Sequence, residues 1–201
     1  MAEVCFDLAG QVLEIRWHGR GGQGAKTAAL LFAESALDTG MFIQAFPEYG
    51  PERMGAPVVA FNRLSDKPIG SHAAVRAPRV VVVLDPSLIE PAQVVKGLQE
   101  DGILLVNTTE DPVELKKRLG LPEGVTVYTV DASRIALEEV GKDVPNTPLL
   151  GALVKVTRVL EFETMMKAIE EKLADKFRGG KEKFIEPNLK SIRRAYQEVR
   201  C

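Results

Sequence analysis

The residues with the clearest chemical potential form a glycine-rich turn, His18-Gly19-Arg20-Gly21-Gly22-Gln23-Gly24-Ala25-Lys26-Thr27. Gly19, Gly21 and Gly24 fit the pattern G-x-G-x-x-G, which follows an apolar, strand-like run and precedes a helix-like run. Glycines let the backbone turn sharply and approach an anion, and a helix N-terminus offers free N–H groups at the positive end of its dipole. The turn therefore predicts a site for a phosphate or a carboxylate.

Three side chains of this turn carry donors that suit an anion. They are Arg20, Gln23 and Lys26. A fourth donor, Arg53, could reach in from a later loop. The alternative is that the glycines only allow a helix to pack closely on a sheet, with the charged side chains solvated. We expect the following residues to form the site: Gly19, Arg20, Gly21, Gly22, Gln23, Gly24 and Lys26.

Two more specific interpretations of the turn fail on spacing. A Walker A loop needs Lys directly after its last glycine, whereas Ala25 separates Gly24 from Lys26 here. An NAD site needs an Asp or Glu about 20 residues further on, at the end of the second strand. The predicted second strand, residues 41–46, contains no acidic residue.

Other polar residues near predicted element ends have ordinary explanations. We expect Trp17 to be a core residue and His18 to be hydrogen-bonded locally. Asp85 follows a buried strand, so it is either a ligand group or a helix cap. Asn146 or Thr147 is predicted to be the N-cap of a helix. We find no nucleophile–base pair, no paired carboxylates and no metal site, so no catalytic residue is predicted.

Composition excludes several classes of protein. The chain has 201 residues, 45% of them hydrophobic, and a formal net charge of -2, so a basic footprint for nucleic acid is absent. No apolar window of about 18 residues predicts a membrane span, and the N-terminus lacks the layout of a signal peptide; the expected location is cytoplasmic. Two cysteines, Cys5 and Cys201, and two histidines cannot assemble an iron–sulfur cluster or a zinc site. Any electron carrier must lie in another chain.

Apolar runs of strand length alternate with segments of helical period. This alternation predicts an α/β fold: a Rossmann-like, largely parallel sheet with helices on both faces and a helical C-terminal layer. We expect one domain over residues 1–201, with an α/β body at 1–131 and a helical part at 132–201. Strands are predicted at 12–18, 41–46, 57–64, 79–84, 102–107 and 125–130, and helices at 25–39, 87–98, 112–119, 132–140, 147–160, 162–177 and 187–199.

A long loop rich in proline and glycine joins the second and third predicted strands. Loops of this length inside a compact domain are usually functional or interfacial. We expect it to line a cleft or an interface through Glu48, Tyr49, Glu52, Arg53 and Met54.

Two long motifs carry a family resemblance: residues 15–24, IRWHGRGGQG, and residues 44–57, QAFPEYGPERMGAP. They closely resemble the gamma subunits of pyruvate:ferredoxin oxidoreductases, within the wider family of 2-oxoacid:ferredoxin oxidoreductases. The likeness extends to residues 81–85, 146–147 and 184–199, and so covers nearly the whole chain.

The resemblance implies a multi-subunit enzyme that oxidatively decarboxylates a 2-oxoacid and releases acyl-CoA. Its thiamine diphosphate, Mg²⁺ and 4Fe–4S clusters belong to other subunits, and electrons pass to ferredoxin. The implied partners are alpha-, beta- and delta-type subunits, and the glycine turn is expected to approach the phosphates of CoA or a neighbouring subunit. Pyruvate is the expected substrate. The alternatives are a branched-chain 2-oxoacid such as 2-oxoisovalerate, or a free-standing module that binds NAD or CoA.

Overall fold

The computed structural model describes residues 8, 10–48, 54–180 and 182–201. Six strands form one sheet: β1 (Leu13–Arg20), β2 (Phe42–Pro47), β3 (Pro57–Ser65), β4 (Val80–Val83), β5 (Ile103–Asn107) and β6 (Thr126–Val130). Within the described ranges, six α-helices accompany it: α1 (Ala25–Ala36), α2 (Pro112–Arg118), α3 (Ala132–Val140), α4 (Asn146–Thr157), α5 (Phe162–Phe177) and α6 (Ile185–Glu198). The described helices after β6 follow one another without a further strand.

The strand order is β2-β3-β1-β4-β5-β6. β1, β4, β5 and β6 are parallel neighbours, whereas β3 is antiparallel to both β1 and β2. Five strands therefore share one direction and β3 alone is reversed. This confirms the predicted α/β fold with a largely parallel sheet.

The two faces of the sheet are buried by different layers, and the central strands alternate between them. Val80 and Val82 pack in the core beneath α1, α4, α5 and α6, while Val81 and Val83 pack in a second core on the other face. A run of β-branched residues buried on both sides is what a central parallel strand requires. The C-terminal helices thus cover the same face as α1.

The second face is covered differently from the prediction. The helix expected at 87–98 is wrong: a single 3₁₀ turn, Pro86–Leu88, is followed by hydrogen-bonded turns. Pro91 has no N–H to donate to a helix, Gln93 adopts a φ of 45° and Gly97 a φ of 77°. The apolar spacing that suggested a helix instead reflects burial of Leu88, Ile89 and Val94 against the sheet. Of the described α-helices, α2 packs into the core on this face through Leu115.

Candidate functional site at the glycine turn

The glycine turn connects the end of β1 to the start of α1. Gly24 is the N-cap of α1 with a left-handed φ of 83°, and Gly22 has a φ of 101°. Glycine adopts such angles readily, whereas other residues are strained there. No side chain caps α1, and its first turn has no acidic residue. The positive end of this helix is therefore not neutralised by its own side chains.

This turn lies where the chain changes faces of the sheet. After β1 the chain crosses the face that carries α1, and after its neighbour β4 it crosses the opposite face. Such a switch point opens a crevice at the carboxyl ends of the strands, and ligands of open α/β sheets bind there.

Arg20 and Asp85 close one side of this crevice. Arg20 Nε lies 2.9 Å from Asp85 Oδ2, Arg20 Nη2 donates to Ser87 Oγ at 2.8 Å, and Arg20 Nη1 donates to the Gly55 carbonyl at 3.1 Å. Gln23 Nε2 also donates to Asp85 Oδ2, at 3.1 Å. The donors that the sequence assigned to an anion, Arg20 and Gln23, are therefore largely engaged by a carboxylate of the chain itself.

Asp85 is also the N-cap of the 3₁₀ turn Pro86–Leu88. This confirms one of the two roles predicted for it. Its Oδ1 accepts from the backbone N–H and the hydroxyl of Ser87, at 3.0 and 2.6 Å. Partial burial acts to raise the pKa of Asp85, but hydrogen bonds from Ser87, Gln23 and Arg20 outweigh it, so the pKa is lowered. The pairing of Asp85 with Arg20 was not predicted. Both residues lie at the carboxyl ends of predicted strands, but only the strand order shows that β1 and β4 are neighbours.

The end of the long loop is fixed to the turn by backbone hydrogen bonds. Gly21 N–H donates to the Ala56 carbonyl at 2.9 Å, and Gly55 N–H donates to the Gly21 carbonyl at 3.1 Å. Met54, at this end of the loop, is 95% exposed, and Glu48, at the other end, is also exposed. Of the predicted loop residues, Tyr49, Glu52 and Arg53 lie outside the described residues. The role of this loop at an interface or cleft stays a prediction.

Lys26 differs from the other predicted donors of the turn. Its side chain is exposed on the first turn of α1 and makes no hydrogen bond or ion pair with the part of the chain that the structure describes. The seven residues predicted for the anion site thus run from the end of β1 to the first turn of α1. Among the described residues no partner is seen for the side chain of Lys26. The ligand of these seven residues stays a prediction.

A second helix begins beside the turn. The predicted N-cap role of Asn146 or Thr147 is wrong, because Pro145 is the N-cap of α4 and no side chain caps that helix. Asn146 instead packs against Gly24: a Cβ atom at Gly24 would lie 2.7 Å from Asn146 Nδ2 and 2.8 Å from Asn146 Cγ. Gly24 is therefore required by its φ angle and also by this contact.

The residues before the turn are structural, as predicted. Trp17 is fully buried and its indole N–H donates to Asn62 Oδ1 at 2.7 Å. His18 Nε2 accepts from Arg16 Nε at 2.9 Å. Burial, and then the charge of Arg16, lower the pKa of His18 to about 3. The imidazole is therefore neutral at physiological pH.

The strand order adds a reason against an NAD site. In a dinucleotide fold the second strand lies beside the first, so that its terminal acid reaches the ribose. Here β3 separates β1 from β2, which places the end of β2 two strand spacings, about 10 Å, from β1.

The described part of the chain contains no cluster of three or more His, Cys, Asp or Glu side chains that could hold a metal ion. Within the same ranges, no helix has both the length and the apolar character needed to cross a bilayer. Cys201 is exposed and free, and Cys5 lies outside the described residues.

The fold and the turn define a doubly wound α/β protein with a helix N-terminus open at the switch point of its sheet. A family model described as pyruvate ferredoxin/flavodoxin oxidoreductase matches residues 14–198, and the chain belongs to this family. The chain is 50% identical to the pyruvate synthase subunit PorC of Thermotoga maritima over 96% of its own length and 98% of the relative's.

Two further comparisons agree with this assignment. The chain is 45% identical to a Pyrococcus abyssi protein named the common subunit gamma of pyruvate/ketoisovalerate oxidoreductases, over 94% of this chain and 97% of that protein. A crystal structure of pyruvate oxidoreductase subunit PORC from Thermotoga maritima superposes with a TM-score of 0.80 at 47% identity, covering 94% of this chain and 98% of that one.

Proposed function

We propose that this chain is the gamma-type subunit of a pyruvate:ferredoxin oxidoreductase. The enzyme converts pyruvate and CoA to acetyl-CoA and CO₂ and passes the electrons to ferredoxin. The observation that carries the proposal is the 50% identity to a pyruvate synthase subunit along nearly the full length of both chains. We expect the chain to act as one part of an assembly, because the relatives that it resembles are named as subunits of larger enzymes.

In this proposal the redox and thiamine chemistry belongs to the partner subunits. Alpha-, beta- and delta-type chains hold thiamine diphosphate, Mg²⁺ and the 4Fe–4S clusters and deliver electrons to ferredoxin. The two cysteines of this chain are too few to ligate a cluster. Its own contribution is a surface that closes the CoA side of the active site.

The glycine turn supports that contribution. The uncapped N-terminus of α1 presents backbone N–H groups and the exposed Lys26 to a phosphate of CoA. Arg20 and Gln23 shape the turn by donating to Asp85. Arg20 also holds the end of the long loop beside the turn by donating to the Gly55 carbonyl. The loop from Glu48 to Met54 then faces the cleft or a neighbouring subunit.

Reconstitution tests the proposal. The thiamine-binding and cluster-bearing subunits are mixed with and without this chain, and reduction of ferredoxin that depends on pyruvate and CoA is followed. We expect activity when the chain is present and its loss when the chain is left out. Equal activity without the chain, or its failure to join the complex, would contradict the proposal.

Lys26→Ala tests the CoA site within the complex. We expect the KM for CoA to rise about three- to tenfold with kcat nearly unchanged, because an ion pair to a phosphate is lost. Lys190→Ala, which removes an exposed lysine of α6, is the matched control and should leave the KM unchanged. An unchanged KM in Lys26→Ala would leave the chain a purely structural cover.

A second candidate function is a chain shared between two complexes. It is favoured by the Pyrococcus abyssi relative, whose name describes a gamma subunit common to pyruvate and ketoisovalerate oxidoreductases. Reconstitution with the catalytic subunits for each 2-oxoacid separates the two cases. Activity with the pyruvate set alone would restrict the chain to one enzyme.

A further inference from the structure

We propose that Asn146 is a ligand-binding residue that completes the anion site of the glycine turn from a second helix. Its side-chain amide donates to the same phosphate group that the N-terminus of α1 faces. The inference rests on the proposed function, since it takes CoA as the source of that phosphate. It adds a residue that the sequence had assigned to a helix cap.

Asn146 lies beside the N-terminus of α1. Asn146 is the first residue of α4, and its amide lies against Gly24, the N-cap of α1. The contact is close enough that a Cβ atom at Gly24 would lie 2.7 Å from Asn146 Nδ2. The amide therefore lies at the point where the backbone N–H groups of α1 begin.

The side-chain amide of Asn146 has no hydrogen-bond partner among the described residues. Asn146 is 8% exposed, yet its side chain makes no hydrogen bond with any residue that the structure describes. Amides in such sites are almost always hydrogen-bonded, so the partner of the Asn146 amide must come from solvent or from a ligand. A mostly buried amide left open at a crevice is ready to bind a ligand.

The electrostatic environment of Asn146 favours an anion. Neither α1 nor α4 has an acidic residue in its first turn or a side-chain cap at its N-terminus. Two positive helix ends therefore meet at Gly24 and Asn146, and both favour an anion. The nearby carboxylate of Asp85 forms an ion pair with Arg20, and the positive charge of Arg20 offsets its repulsion of a phosphate.

These properties select a phosphate group over a neutral ligand. CoA offers two such groups, the pyrophosphate and the 3′-phosphate of its ribose. Both have oxygen acceptors for an amide N–H and for the helix N-termini. Kinetics with CoA and with dephospho-CoA, which lacks the 3′-phosphate, distinguishes them.

The test uses Asn146→Asp in the reconstituted complex. A carboxylate at the start of α4 is favourable to that helix, so the fold should be retained, but it places a negative charge where the phosphate binds. We expect the KM for CoA to rise about tenfold or more, with the KM for pyruvate and kcat within about twofold. Asn146→Ala, which only removes the donor, should raise the KM for CoA about three- to tenfold.

The matched control is Gln197→Glu, the same change from amide to acid at an exposed position of α6. It should leave the KM for CoA unchanged. If the effect of Asn146→Asp persists with dephospho-CoA, the site holds the pyrophosphate; if it disappears, the site holds the 3′-phosphate. Should Asn146→Asp fail to assemble, Asn146→Ala and Asn146→Ser decide by direct calorimetric titration of the complex with CoA.

The inference and the proposed function fail separately. If both Asn146 variants leave the KM for CoA within twofold while Lys26→Ala raises it, the inference is overturned and the CoA site at the turn stands. If Lys26→Ala also has no effect, the CoA role of the turn is overturned. If reconstitution does not need the chain at all, the proposed subunit role is wrong.

Discussion

Arg20 and Asp85 form an ion pair that joins the end of β1 to the residues following β4, with Arg20 Nε 2.9 Å from Asp85 Oδ2. The same guanidinium reaches Gly55 and Ser87. One side chain thus connects the glycine turn, the end of the long loop and the segment that crosses to the other face of the sheet. The shape of the crevice depends on this ion pair.

Asp85→Asn is expected to destabilise the chain by about 1–2 kcal/mol, because Arg20 keeps its charge but loses its counterion at a partly buried site. The side chains of Arg20 and Asp85 are 35% and 16% exposed. Asp175→Asn is the control: its ion pair with Arg178 has side chains 68% and 81% exposed, so the change should stay within about 0.5 kcal/mol. Urea unfolding measures both, and equal effects would contradict a special role for Asp85.

His18 makes stability depend on pH. The pKa of His18 is about 3 in the folded chain and 6.5 for an unperturbed histidine, which stands for the unfolded chain. Between pH 3 and pH 6.5 the unfolded chain therefore binds one proton more than the folded chain. The stabilisation is complete above pH 6.5 and is lost as the pH falls toward 3, by up to about 1.4 kcal/mol per pH unit. Urea unfolding of wild type and His18→Gln between pH 5 and 7.5 should give a shallower pH dependence for the variant. Equal slopes would show that other groups account for the loss.

Gly24→Ala should destabilise the chain more than Gly22→Ala. Both residues have left-handed φ angles, so alanine at either carries a strain of about 1–2 kcal/mol. At Gly22 an added Cβ would meet nothing within 4 Å, whereas at Gly24 it would collide with the Asn146 amide. Thermal unfolding of the two variants isolates the contact. Equal melting temperatures would mean that the Asn146 amide moves aside without loss.

Gly151→Ala tests the packing of the C-terminal helices. A Cβ atom at Gly151 of α4 would lie 2.1 Å from the Ile192 carbonyl oxygen of α6, so the two helices must separate. We expect a loss of about 3 kcal/mol or more, at the upper end of overpacking effects. Gly141→Ala, whose φ is 77° but whose surroundings are open, should lose only about 1–2 kcal/mol. Chemical denaturation compares them, and a Gly151 variant as stable as wild type would show that this interface is loosely packed.

Much of the secondary structure was predictable because burial leaves a periodic signal. The valine run of β4 alternates between two cores, and the turn at Gly22–Gly24 needs the angles that glycine supplies. The same signal produced the wrong helix at 87–98, since buried side chains on successive turns can mimic a helical period. Pro91 in the middle of that segment argued against it.

The strand order and the contacts of the site were not predictable in the same way. An apolar run shows that a strand is buried but not which strand lies beside it, and the insertion of β3 between β1 and β2 left no periodic trace. Arg20, Asp85 and Asn146 were each visible as polar residues near element ends. Their contacts depend on which strands and helices are neighbours, and this information appears only in three dimensions.

The reversed direction of β3 brings its first residues to the glycine turn. β2 runs in the same direction as β1 and pairs antiparallel with β3, so β3 begins at the edge of the sheet where β1 ends. Gly55 and Ala56, just before β3, are hydrogen-bonded to Gly21 at that edge. A ligand that displaced the glycine turn would therefore also displace the start of β3, and the two would move together on binding.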